Sequence, residues 1–108
     1  MKREIKFRAW IDNKMLEWEN LLTNSLWIFN NASGMWIFMQ FTGLLDKVGK
    51  EIYEGDIVLK HDGKTKAKVL YGTDRFYLEP VWYGEAEDGA FQAVKVIGNI
   101  YENPELLP

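Results

Sequence analysis

Residues 40–58, QFTGLLDKVGKEIYEGDIV, restrict the fold more than any other stretch of this chain. The apolar run through Gln40-Phe41-Thr42 meets Gly43, and Asp46-Lys47-Val48-Gly49-Lys50 is a polar, glycine-bearing connection of the kind that reverses a chain. Glu51-Ile52-Tyr53-Glu54 then leads into Gly55-Asp56-Ile57-Val58. Gly55 permits a bend at positive φ, and Asp56 can hydrogen-bond nearby backbone before a β-branched run begins. A bend followed by a strand is the expectation there.

The flanking sequence repeats that grammar. Ile5-Lys6-Phe7-Arg8-Ala9-Trp10-Ile11 alternates, with Ile5, Phe7, Ala9 and Ile11 expected on a core face and Lys6, Arg8 and Trp10 on the other. Asp12-Asn13-Lys14 has the chemistry to turn the chain back as Met15 to Trp18. Glu19 to Ser25 reads as a loop with one helical turn. Leu26 to Phe29 and Met35 to Phe41, joined through Asn30 to Gly34, read as a second hairpin that is apolar on both faces. His61-Asp62-Gly63-Lys64 predicts a hairpin turn into Thr65 to Tyr71, with Lys64, Lys66 and Lys68 on the outer face. Arg75 to Glu79 is a further strand that Pro80 assigns to an edge. Ala90 to Ile97 is the last, ending at Gly98 to Tyr101. Asn103 is expected to cap a helical turn with Pro104 at its first position.

Three blocks of this sequence carry a resemblance: REIKFRAW near the start, QFTGL with DK, GK and EIYEGDIV at the centre, and VIGNIYENPELL near the end. Taken in this order they resemble the YopX family of small phage and prophage proteins. The resemblance implies a phage or prophage accessory protein of unknown biochemical activity, acting by binding or assembly.

Composition narrows the remaining classes. A chain of 108 residues with 47% apolar and 15% aromatic side chains is long enough for one domain, 1–108, with its own core. It has no cysteine, so disulfides and thiol chemistry are excluded, in keeping with a reducing cytoplasm. No run approaches the roughly 18 apolar residues of a membrane-spanning helix, and no signal-peptide core opens the chain, so a soluble protein without membrane association is expected. Net charge is −3, with the acidic excess in residues 76–108. The balance argues against a general nucleic-acid binder, whose phosphate contacts require a basic face.

No catalytic constellation is visible and no cofactor or metal is expected. His61 is the only histidine and lies in a turn, and Ser25 and Ser33 lack a nucleophile context. Glu51, Glu54 and Asp56 could converge on a cation, but Asp56 is more simply a turn residue and the glutamates solvated. Two surfaces are better candidates. Trp27, Phe29, Trp36 and Phe38, on the two-sided apolar hairpin, would need cover, either from a second copy of the chain or another host or phage protein, or from within the chain. In the second case they form an unusually thick core, with Glu19 to Ser25 or the Pro104 to Leu107 turn lying over the hairpin. Lys60, Lys64, Lys66, Lys68 and Arg75, close in sequence to Phe76 and Tyr77, could instead bind single-stranded nucleic acid. Gly43, Gly55, Asp56, Asn103 and Pro104 are assigned structural roles. The sequence thus predicts an all-β fold, a small barrel or two packed antiparallel sheets built from hairpins, with a short C-terminal helical turn, forming a homo-oligomer.

Overall fold

The computed structural model describes residues 5–23, 36–72, 75–79 and 93–107. They form two four-stranded antiparallel sheets. The first runs β2-β1-β3-β4, from β1 (Phe7–Ile11), β2 (Lys14–Leu16), β3 (Ile37–Leu45) and β4 (Glu51–Tyr53). The second runs β7-β6-β5-β8, from β5 (Asp56–Leu59), β6 (Lys66–Tyr71), β7 (Phe76–Glu79) and β8 (Lys95–Asn99). A 3-10 turn, Pro104–Leu106, closes the described chain. The expectation of two packed sheets with a C-terminal turn is met.

Local chemistry accounts for the reversals. Asp12 and Asn13 both take positive φ, as a two-residue hairpin between twisted strands requires. Asp62 accepts hydrogen bonds from the Thr65 hydroxyl and from the Thr65 and Lys64 N–H groups, which hold its pKa down at about 2. Gly43, at φ 86°, sits in β3 where the register with β4 slips: Phe41 faces Tyr53 but Leu45 faces Glu51. Thr42 stabilises this bulge by donating to the Ile52 carbonyl while accepting from the Leu44 N–H.

Gly55 is the hinge between the sheets. At φ +88° it turns the chain from β4 into β5, donating to the Val69 carbonyl and accepting from the Ile100 N–H. An added Cβ would lie 3.0 Å from the Met39 sulfur. The core gathers beside it from Ile52, Val58, Ala67, Val69, Phe76, Leu78, Val94 and Val96.

Several expectations need correction. Arg8 belongs to a buried face, because the first sheet is covered on both sides: Arg8 and Met39 lie toward the second sheet, while Trp18 packs on Phe7 from the opposite side. Ile5, expected in the core, is exposed. Residues 18–23 form the helical turn expected near Glu19 to Ser25, beginning one residue earlier, and carry buried Leu21 one turn on from Trp18, which packs on Phe7. The last strand starts at Lys95 and includes Gly98 and Asn99, which had been expected to end it. Asn103 occupies the cap position with Pro104 behind it, yet makes no side-chain cap bond. Its Oδ1 accepts instead from the Asn99 N–H at 3.2 Å, which ties the turn back to β8.

Asp46 ties the two sheets together. Its buried carboxylate accepts from the Val48 and Lys50 N–H groups of its own turn and, at 2.8 Å, from the Val96 N–H of β8. Burial works to raise its pKa, but these three donors and the Lys50 charge outweigh it and hold the group below its ordinary value. Asp46→Ala is therefore expected to cost at least about 2 kcal/mol, since three backbone donors lose a charged acceptor. The stabilisation belongs to the ionised form: it is present above the ordinary value of 3.8 and lost as pH falls through the lower folded-state value. Chemical denaturation at neutral and acid pH, with the two proteins converging in acid, checks both points.

Candidate functional site

The register on the second sheet sorts the lysines. Lys66 and Lys68 face Leu59 and Ile57, on the face opposite Val58, Ala67 and Val69. Lys66 is exposed there and Lys68 half-buried, because Ile57 is fully buried and Leu106 of the C-terminal turn lies beside Gly98, the partner of Ile57 in β8. Lys60 has the parity of Asp56 and Val58 and points inward with them, only 1% exposed. It cannot belong to a surface that binds phosphate, contrary to expectation. Lys64 is exposed in the turn, Lys68 reaches Glu79 at 3.3 Å, and Arg75 is exposed ahead of β7. Lys95 joins Lys66 instead, because both flank Leu59 on the same outer face.

Of the aromatic candidates, Trp27 and Phe29 lie outside the described residues. Trp36 and Phe38 stack with ring centroids 5.6 Å apart and planes 13° from parallel. Phe38 remains 55% exposed. It shares a face with Ala9 opposite, the face on which the helical turn packs, and Leu22 of that turn is also exposed.

A third feature is a polar cleft of about 360 Å³ between the sheets. Arg8 from β1 and Asp56 from β5 meet in it across 2.6 Å, both nearly inaccessible. Asp56 also accepts from the Tyr53 N–H at 2.8 Å, which is the turn role the sequence suggests, while Arg8 donates to the Glu54 carbonyl and lies over the Tyr53 ring. Arg8 Nε is buried without a hydrogen-bond partner. Burial pushes the Asp56 carboxyl above its ordinary pKa despite the Arg8 charge and the Tyr53 N–H. Lys50, Glu17, Glu102 and Asn103 complete the polar lining.

Glu51 and Glu54 do not converge with Asp56 on a cation. Glu51 pairs with Lys6, and among the described residues no cluster of metal-ligating side chains forms. Sequence reasoning missed the cleft because its parts are distant in the chain. One signal was available: Arg8 is the charged centre of a strand whose neighbours are apolar or aromatic.

Comparison with known proteins fits this fold. A family model described as YopX protein matches residues 22–108. The crystal structure of protein EF1440 from Enterococcus faecalis is similar over 99% of this chain and 100% of that one, with a TM-score of 0.73 and 29% identity. No curated protein matches the sequence. Among the described residues, no helix is long and apolar enough to cross a membrane.

Proposed function

The chain belongs to the YopX family, and we propose that it is a phage or prophage accessory protein of the host cytoplasm, a non-enzymatic binding module that self-associates. The observation that carries this reading is the Trp36–Phe38 stack, which leaves a large aromatic more than half exposed. Fully burying such a side chain is worth about 1.5–3 kcal/mol, so the exposed half of Phe38 offers about 1 kcal/mol per copy before its neighbours are counted. In support of a non-enzymatic role, the buried carboxylates Asp46 and Asp56 are both committed to structural partners.

Phe38→Lys is expected to weaken self-association at least about tenfold, since it removes an apolar contact and places like charges across a symmetric interface, while leaving the melting temperature near the parent's. Sedimentation velocity at micromolar concentration reads the first and a thermal melt the second. A monomeric parent would overturn the proposal.

One observation favours a second reading, binding of single-stranded nucleic acid: Lys66 and Lys95 flank Leu59 on the outer face of the second sheet. Against it stand the inward Lys60 and the Lys68–Glu79 pair. Replacing Lys64, Lys66 and Lys68 with Gln should change stability by no more than about 0.5 kcal/mol each, because Lys64 and Lys66 are exposed and the half-buried Lys68 pairs only with an exposed Glu79. Loss of salt-dependent mobility shifts of labelled single strands in that variant, with an unchanged melt, would favour this second reading over self-association.

A further inference from the structure

The chain has two Asp-Gly pairs, Asp62-Gly63 and Asp88-Gly89, of which the first, between β5 and β6, lies among the described residues. An aspartate before glycine carries a chemical hazard, because glycine has no side chain to shield its amide nitrogen. That nitrogen can attack the preceding side-chain carboxyl. A bond forms between Gly63 N and Asp62 Cγ, the Cγ–OH bond breaks, and the hydroxyl leaves as water, taking the amide proton. A second water then reopens the cyclic imide at either carbonyl. Opening at the side-chain carbonyl restores aspartate, whereas opening at the main-chain carbonyl leaves isoaspartate, with the backbone routed through Cβ and Cγ. No oxidant or cofactor enters this sequence, and the exposed turn, open around Gly63, admits the water it needs.

The folded turn opposes each requirement of that reaction. The carboxyl must swing back onto Gly63, but Oδ1 is held forward by the N–H groups of Lys64 and Thr65, both at 2.9 Å, and Oδ2 by the Thr65 hydroxyl at 2.6 Å. The Gly63 nitrogen must shed its proton, but its N–H donates to the Lys60 carbonyl at 2.9 Å. The carboxyl must be neutral for water to leave, and the same bonds, the Thr65 hydroxyl foremost, favour the ionised form. A pKa lowered from 3.8 to about 2 cuts the neutral fraction about tenfold or more at any pH above both values. From these contacts we propose that Asp62 is a site of spontaneous isoaspartate formation that the folded turn holds closed, with the Thr65 hydroxyl as its guard. The reaction runs through opened turns, so isoaspartate accumulates in proportion to the time the turn spends open. This inference is independent of the self-association above, since it concerns no residue of the Trp36–Phe38 stack.

Of the donors to Asp62, only the Thr65 hydroxyl belongs to a side chain, so substitution can remove it alone. Thr65→Val is nearly isosteric and keeps both the Thr65 N–H that Asp62 accepts and the Thr65 carbonyl that accepts from the Lys60 N–H at 2.8 Å. Peptide mapping of the full chain aged for weeks in neutral buffer reads the product at Asp62 directly, as a peptide of unchanged mass that an Asp-specific protease no longer cuts. The folded parent is expected to form it at least about tenfold more slowly than the parent unfolded in guanidinium chloride. Folded Thr65→Val should form it about fivefold or more faster than the folded parent, the worth of one such hydrogen bond. Thr65→Ser, which keeps the hydroxyl, should age like the parent, and all three should react alike when unfolded. Equal rates in the folded and unfolded parent, a comparison that needs no variant, would overturn the proposal. So would a folded Thr65→Val that ages like the parent, or a folded Thr65→Ser that ages like Thr65→Val.

Discussion

Arg8→Met is expected to destabilise the fold by about 3–5 kcal/mol, the cost of leaving a buried charge without its partner. Asp56 is only 1% exposed, and without Arg8 its remaining acceptor role is to the Tyr53 N–H. The effect carries a pH signature. Burial already places the Asp56 pKa above its ordinary value of 3.8. A carboxyl raised in this way contributes stability below the ordinary value and loses that contribution as pH rises through the folded-state value. Removing Arg8 raises the folded-state value further, so the gap between variant and parent should narrow on acidification. Urea denaturation at neutral and acid pH measures the gap. An equal loss at both would mean that packing, not charge, is what Arg8 supplies. Adding Asp56→Asn should restore part of the loss, because a neutral amide oxygen still accepts from Tyr53.

Gly55→Val should cost at least as much as the strain of a β-branched residue at positive φ, about 1–3 kcal/mol, with a packing penalty added. Gly49 provides the control. Both glycines have φ +88°, but nothing lies within 4 Å of a Cβ at Gly49, whereas one at Gly55 would meet the Met39 sulfur. Gly49→Val therefore reports backbone strain alone, and the difference between the two melts reports the Met39 contact. Equal losses would remove the packing contribution from Gly55 and reduce its role to the turn.

The two glycine positions also mark what was legible in the sequence. Turn chemistry is local, so the bend at Gly55, the Asp12-Asn13 reversal and the Asp62-Gly63 turn could all be read from neighbouring residues. Alternation was legible too, as Lys66, Ala67, Lys68 and Val69 occupy the faces it assigned. Lys60 was legible by the same rule, since it is in phase with Val58 and parity alone assigns it to the inner face. Arg8 is a different case. Alternation shows that a strand has two unlike faces, but not that the charged face meets another sheet; only the partner 48 residues away decides that. Asp46 and Asn103 likewise make their decisive hydrogen bonds to β8, and Asn103 takes the Asn99 donor in preference to capping its own turn. The cleft was illegible for the same reason.

The hydrogen bonds that Asp46, Asp56 and Asn103 accept have a consequence for how the protein fares when crowded. β4 and β8 each lie at the border of a sheet, and the N–H groups of Tyr53, Val96 and Asn99 are taken by side chains of the same molecule. A strand border with open donors is a template on which another chain can polymerise. Here an incoming strand would first have to displace a buried carboxylate or an amide already in place. Strand addition at these three positions is thereby disfavoured.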